Sequence, residues 1–150
     1  MTLREKLDSD LKDAMRARDQ VRLDTIRNIK SAVKYKEVEA ENKVLDDGAI
    51  LKVIAGLVKQ RRDSVEQFTA GGRKDLADKE ERELAILQTF LPQQLSETEL
   101  AALVDEAIRE TGAADMKAMG GVIKAVQAKA AGRAEGKAIS DLVKKKLAGG

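Results

Sequence analysis

The 150-residue sequence contains no cysteine, no histidine and no tryptophan. Without a thiol or an imidazole it cannot supply a cysteine nucleophile, a disulfide, a cysteine-based zinc site or a histidine acid–base catalyst. A Gly-x-x-x-x-Gly-Lys-Ser/Thr phosphate loop is also missing. We therefore assign no catalytic residue, no metal ligand and no cofactor. Carboxylates and lysines can still catalyse where burial shifts their pKa values. We therefore expect a protein without enzymatic activity, but these absences do not exclude an enzyme.

Aromatic residues and proline are nearly absent as well. The three aromatics are Tyr35, Phe68 and Phe90, and the one proline is Pro92. Leucine, isoleucine, valine and alanine carry the apolar content, and charged residues of both signs make up 36% of the chain. This composition is typical of packed amphipathic helices, whereas a sheet core would hold more aromatic and β-branched residues. The sequence therefore predicts an all-α protein.

Long apolar runs are missing too. No run approaches the roughly 20 residues that cross a bilayer, so we expect no membrane partner. The first residues lack a hydrophobic signal core, and Asp8, Asp10 and Asp13 make the segment too acidic for a transit peptide. The absence of cysteine fits a reducing compartment. These features together predict a cytoplasmic location.

Apolar residues at helical spacing predict about four helices in residues 1–92. Thr2 and Glu5 form a capping box before the first helix, Asp46 or Asp47 caps the third, Asp75 caps the fourth, and Pro92 ends it. The predicted apolar stripes are Leu3, Leu7, Leu11 and Met15; Leu23, Ile26, Ile29 and Val33; Ile50, Val53, Ile54, Leu57, Val58, Val65 and Phe68; Leu76, Leu84, Leu87 and Phe90. We expect residues 1–92 to form an N-terminal helical bundle or hairpin stack.

Residues 93–150 predict a second, smaller domain of three short helices. Ser96 and Glu99 form a capping box before the first of them, and Gly112 and Gly132 separate the three. Three helices of this size make a marginal core. The predicted architecture is thus an N-terminal helical domain, residues 1–92, followed by a small three-helix C-terminal domain, residues 93–150.

Charge is distributed unevenly along the chain. Residues 1–92 hold 19 basic and 18 acidic residues, residues 93–116 hold one against six, and residues 117–150 hold eight against two. The basic end of the chain is either an ordinary solvated surface or a nucleic-acid interface. The candidate RNA-binding residues are Lys117, Lys124, Lys129, Arg133, Gly136, Lys137, Lys144 and Lys145. Because no aromatic residue lies among them, they suit the backbone of folded RNA better than unstacked bases.

Two glycine pairs in this basic region invite two interpretations each. Gly120-Gly121 lies within a helical pattern, and close packing against another helix is a simpler explanation than close approach by RNA. The turn of residues 132–137 either connects two helices or binds a phosphate at the start of the last helix, with Arg133 and Lys137 assisting.

A polar segment of the third helix faces a set of acids on the fourth. Residues 59–64, Lys-Gln-Arg-Arg-Asp-Ser, can form ion pairs with Glu80, Glu81 and Glu83 across the bundle. The same acids are a poor metal site, because the Glu-x-x-His pairing of di-metal bundles is missing.

Three segments together resemble a known family. They are residues 59–64 with residues 70–77, Ala-Gly-Gly-Arg-Lys-Asp-Leu-Ala; residues 80–96, which end in Leu-Pro-Gln-Gln-Leu-Ser; and residues 119–122, Met-Gly-Gly-Val, with residues 132–137, Gly-Arg-Ala-Glu-Gly-Lys. Over nearly its whole length the chain resembles the GatB/YqeY family, in its YqeY-like form. Lysine is usual in the family where Gly121 stands, and aspartate where Glu135 stands. The first change removes a candidate RNA contact, and the second puts a poorer N-cap before the last helix.

The resemblance implies a function as well as a fold. The C-terminal domain is similar to the tail of the B subunit of tRNA-dependent amidotransferase, which helps to hold tRNA while a separate domain carries the chemistry. We therefore expect a non-catalytic accessory protein that binds tRNA or another structured RNA. One alternative is a protein-interaction module of the translation machinery, which binds its partner through the exposed faces of the second and third helices. The other, by family resemblance only, is an activity related to glutamine-dependent carbon–nitrogen ligases.

Overall fold

The computed structural model describes residues 1–149 and confirms the all-α prediction. The helices are α1 (Leu3–Ala17), α2 (Gln20–Glu39), α3 (Asp47–Ala70), α4 (Lys74–Gln88), α5 (Glu97–Thr111), α6 (Met119–Ala130) and α7 (Gly136–Ala148), with a short 3-10 turn at Met116–Ala118 before α6. The chain divides into two compact units, hereafter unit 1, which ends at Leu91, and unit 2, which begins at Pro92. Within residues 1–149 no helix is long and apolar enough to cross a membrane.

Side-chain caps fix most of the helix starts in unit 1. Thr2 accepts the Glu5 N–H at 3.1 Å, and Asp46 accepts the Ala49 N–H at 2.8 Å. The predicted cap at Asp75 is wrong, because α4 begins at Lys74, two residues earlier than a cap at Asp75 would place it, and no side chain caps it. The Asp75 carboxylate instead accepts two hydrogen bonds from the Arg73 guanidinium, each at 3.2 Å, and this contact lowers the pKa of Asp75.

The core of unit 1 is built from all four of its helices, α1 to α4. Its buried residues are Leu7, Ala14, Ile26, Ile29, Val33, Ile50, Ile54, Leu57, Val58, Leu84, Leu87 and Phe90. Met15, predicted to face this core, is 54% exposed. An i, i+4 stripe turns by about 40° at every step, so three steps carry Met15 well away from Leu3. Ala14 lies two turns after Leu7 and takes the buried position instead.

Unit 2 has a separate core from three short helices. Its buried residues are Leu100, Val104, Ala107, Val122, Val126, Ala130, Ile139, Val143 and Leu147. The predicted capping box is complete, since Ser96 Oγ accepts the Glu99 N–H and Glu99 Oε1 accepts the Ser96 N–H, both at 3.1 Å. Gly112, in the left-handed conformation with φ 67°, ends α5 as predicted.

The turn between α6 and α7 is pinned to the segment that enters unit 2. The Leu95 N–H donates to the Arg133 carbonyl at 2.7 Å, and the Arg133 guanidinium donates to the Gln93 carbonyl at 2.9 Å. Gly132 has φ 82°, and a side chain there would also meet the Pro92 ring at 3.7 Å. The glycine is therefore explained by backbone geometry, which fixes the direction in which α7 leaves the turn.

Candidate nucleic-acid interface

All eight predicted RNA-binding residues belong to unit 2. Lys117 lies in the 3-10 turn, Lys124 and Lys129 lie on α6, and Arg133 lies in the following turn. The remaining four, Gly136, Lys137, Lys144 and Lys145, lie on α7. The structure separates these residues into side chains used within unit 2 and side chains that face solvent.

Lys129 is tied to α5. Its ammonium lies 2.9 Å from Glu106 Oε1 and 3.0 Å from Glu110 Oε2. The two carboxylates raise the pKa of Lys129, and Lys129 in turn lowers the pKa of Glu106. Lys146, which was not among the predicted residues, binds Asp105 in the same way at 2.7 Å. These two lysines therefore join α6 and α7 to α5.

The residues of the turn between α6 and α7 are partly occupied by contacts within unit 2. Arg133 is half-buried, with its guanidinium on the Gln93 carbonyl. Gly136 is exposed and begins α7, and its N-cap Glu135 makes no side-chain capping bond, as expected for the longer acid. Lys137 is exposed one residue further on. This turn has a structural role in connecting the two helices.

Besides Lys137, four of the predicted lysines are exposed. Lys117, Lys124, Lys144 and Lys145 are all solvent-facing, and none forms an ion pair with another of residues 1–149. On α7, Lys144 lies two turns after Lys137 and shares its face. Lys145 is on a different side of α7, where it lines an open groove of about 780 Å³ beside Leu142. We call Lys117, Lys124 and Lys144 the free lysine set.

The two exposed glycines of α6 lie next to Lys124. A Cβ added to Gly120 or Gly121 would meet nothing within 4 Å. The prediction that this pair allows close packing against another helix is therefore wrong within the described chain. The glycines leave the backbone of α6 open to solvent instead, one turn before Lys124.

Unit 2 segregates its charges by helix. The acidic residues of the segment that holds α5 are Glu97, Glu99, Asp105, Glu106 and Glu110, against Arg109 alone. The helices α6 and α7 carry the basic residues and Asp141 as their single acid. A polyanion is therefore repelled by α5 and attracted by the outward sides of α6 and α7.

The polar cluster of unit 1 is a set of ion pairs between helices, as predicted. Arg61 Nη1 lies 3.3 Å from Glu80 Oε2, and Arg61 Nε lies 3.2 Å from Glu83 Oε2. Glu81 faces solvent. Across residues 1–149 no three acidic side chains converge as a metal site.

Comparison with known proteins identifies related sequences over most of the chain. A family model described as "Yqey-like protein" matches residues 4–147. A relative from Lachancea thermotolerans, "Altered inheritance of mitochondria protein 41, mitochondrial", is 41% identical over 106 residues, which cover 69% of this chain and 57% of the relative. The protein of the same name from Vanderwaltozyma polyspora is 35% identical over 118 residues, covering 74% of this chain and 63% of the relative.

These relatives correct one expectation and limit what can be transferred. The predicted cytoplasmic location is contradicted, because the matched proteins, including one from Saccharomyces cerevisiae that is 37% identical over 94 residues, are named as mitochondrial. The acidic residues near the start and the lack of cysteine were poor guides to location. The chain spans less than two thirds of the length of these relatives, so it shares only part of each.

Proposed function

Since the chain belongs to the family of Yqey-like proteins, we propose that it is a non-catalytic helical protein that binds tRNA or another structured RNA through α6 and α7. The observation that carries this proposal is the free lysine set, which faces solvent and forms no ion pair with another of residues 1–149. The similarity of unit 2 to the tRNA-holding tail of amidotransferase supports the same function.

The chemistry of unit 2 favours contact with the RNA backbone. Residues 93–150 contain no aromatic side chain, so they offer no surface for base stacking. Lysines attract phosphates as point charges, and the bare backbone at Gly120 and Gly121 leaves room beside Lys124 for a bulky sugar–phosphate chain. Recognition by shape and charge suits folded RNA.

Titration with tRNA at two salt concentrations tests the proposal. We expect binding that weakens steeply as salt rises, because phosphate contacts release counterions. Bulk tRNA and mitochondrial tRNA are both suitable, the second because the relatives are named as mitochondrial. Absence of binding at low salt would contradict the proposal. Turnover by the purified chain with ATP, glutamine and Glu-tRNA would contradict its non-catalytic part.

Paired variants locate the interface. Lys124→Glu with Lys144→Glu removes two free lysines, so we expect at least a tenfold loss of tRNA affinity. The slope of log affinity against log salt concentration should become shallower by about one for each lysine. Lys52→Glu with Lys59→Glu makes the same charge change at exposed positions of α3 and is the matched control. Equal losses in both pairs would indicate attraction to net charge alone.

A further inference from the structure

Large apolar side chains are exposed in one short stretch of unit 1. Tyr35 is 65% exposed, Val38 58% and Val44 77%. The other exposed large apolar residues of the described chain are three methionines, Met1, Met15 and Met116, which are distant from this stretch in sequence. We call Tyr35, Val38 and Val44 the α2 patch.

The α2 patch begins on the outer side of α2. Ile26, Ile29 and Val33 place one side of this helix in the core. Tyr35 and Val38 lie one turn apart on the opposite side, where neighbouring side chains share a surface. Tyr35 is the single tyrosine of the chain. An exposed tyrosine next to an exposed valine is a combination that protein interfaces favour.

The turn after α2 is held in a fixed position. The Glu37 carboxylate accepts the Leu45 N–H at 2.9 Å and a hydrogen bond from the Arg4 guanidinium, which also donates to the Leu45 carbonyl at 3.4 Å. These bonds lower the pKa of Glu37. Leu45 consequently packs against the core, and Val44 is left facing solvent.

The same turn carries backbone strain. Glu41 and Asn42 have φ values of 58° and 64°, two consecutive left-handed residues of which neither is glycine. Such residues persist where surrounding contacts determine them, and here the Asn42 N–H donates to the Glu37 carbonyl at 2.7 Å. Val44 is therefore presented by a pre-organised turn, which lowers the entropy cost of binding.

The charges beside the α2 patch select its partner. Arg27 and Lys34 lie eleven and four residues before Val38 on the same side of α2, and neither forms an ion pair with another of residues 1–149. Lys36 is paired with Glu39 at 3.4 Å. Glu39 and Glu41 also lie close to the patch along the chain, so an acidic partner is expected to place its carboxylates on the side of Arg27 and Lys34. The surface thus combines an apolar centre with two exposed cations.

We propose that the α2 patch docks an amphipathic helix of a partner protein that has aliphatic side chains on one face and carboxylates along its edge. The aliphatic face covers Tyr35 and Val38, and the carboxylates meet Arg27 and Lys34. This surface belongs to unit 1 and uses none of the lysines of unit 2, so the proposal does not rest on RNA binding.

Chemical-shift changes measured by nuclear magnetic resonance on the full chain test whether the α2 patch binds an acidic amphipathic helix. The probe is a synthetic helical peptide with leucine at i, i+4 and i+7 and glutamate along the edge, and the comparison peptide carries lysine in place of glutamate. We expect shifts centred on residues 27–45 and at least tenfold tighter binding of the acidic peptide. Equal binding of both peptides, or no shift in this segment, would overturn the proposal. Shifts of the same residues with tRNA alone would assign the surface to RNA.

Substitutions separate contact from folding. Val38→Ser should lower the affinity for the acidic peptide at least tenfold. Met15→Ser, at an exposed apolar residue outside the patch, should leave that affinity unchanged. Arg27→Glu with Lys34→Glu should reverse the preference in favour of the basic peptide, which a merely unfolded variant cannot do. A double variant that still prefers the acidic peptide would refute the role of the two cations.

Discussion

The two units carry almost the same net charge and organise it in opposite ways. Residues 1–92 have 19 basic against 18 acidic residues, and residues 93–150 have nine against eight. Unit 1 pairs its charges between helices, as in Arg4 with Glu37, Lys30 with Asp8, and Arg22 with Asp10 at 3.5 Å. Unit 2 concentrates acids along and just after α5 and bases on α6 and α7. Net charge alone therefore says little about which surface is open to a charged partner.

The difference also concerns what each unit leaves exposed. Partly exposed ion pairs contribute little stability, so the pairs of unit 1 act mainly to align its helices around the core. What remains open on that unit is the apolar α2 patch. Unit 2 uses Lys129 and Lys146 to join its helices and leaves the free lysine set exposed. Each unit thus has a surface that contacts within residues 1–149 do not explain.

The largest expected effect comes from a cavity in one core. Leu87 is fully buried in unit 1, so Leu87→Ala should lower the free energy of unfolding of that unit by about 2–5 kcal/mol. Native-state hydrogen exchange should show faster exchange in α2, α3 and α4, with α5–α7 unchanged. Ile139→Ala, at a fully buried position of unit 2, is the matched control and should give the converse pattern. Equal acceleration in both units would mean that they unfold as one.

A smaller effect is expected from the caps of unit 2. The N-cap Glu135 makes no side-chain capping bond, whereas Ser96 forms a complete capping box. Glu135→Asp supplies a better cap and should stabilise α7 by about 0.5–1 kcal/mol, measured by urea unfolding. Ser96→Ala removes the cap of α5, so it should lower the free energy of unfolding by about 1 kcal/mol and calibrate the measurement. A destabilised Glu135→Asp variant would show that the longer acid has another role at this turn.

The sequence predicted the helices well because the signals for them are local. Thr2, Asp46 and Ser96 each accept a backbone N–H three residues on, so capping depends on residues that are neighbours in the chain. Asp75 failed as a cap because a competing local partner, Arg73, binds its carboxylate. Residue type indicated which groups can interact but left open which of two nearby partners takes the carboxylate.

The candidate sites were harder to predict because they depend on packing between helices. Nothing in the local sequence of Lys129 indicates that Glu106 and Glu110 lie beside it, since the contact requires the register of α5 on α6. The glycine pair on α6 was misinterpreted for the same reason. The exposure of Tyr35 follows from which side of α2 meets α3 and α4, and α2 has apolar residues on both sides.

The smallest expected effect sharpens the division between structural and free lysines. Lys129→Gln removes the contact to α5, so the melting temperature of unit 2 should fall slightly while tRNA affinity stays unchanged. Lys124→Gln should lower the tRNA affinity and leave the melting temperature of unit 2 unchanged. Because Lys129 lowers the pKa of Glu106, this pair stabilises the fold above the ordinary pKa of glutamate, and that stabilisation is lost as pH falls through the lowered value. The variant should therefore lose less stability on acidification than the parent chain. If Lys129→Gln weakens tRNA binding as much as Lys124→Gln does, ion pairing within unit 2 does not decide which lysines meet RNA.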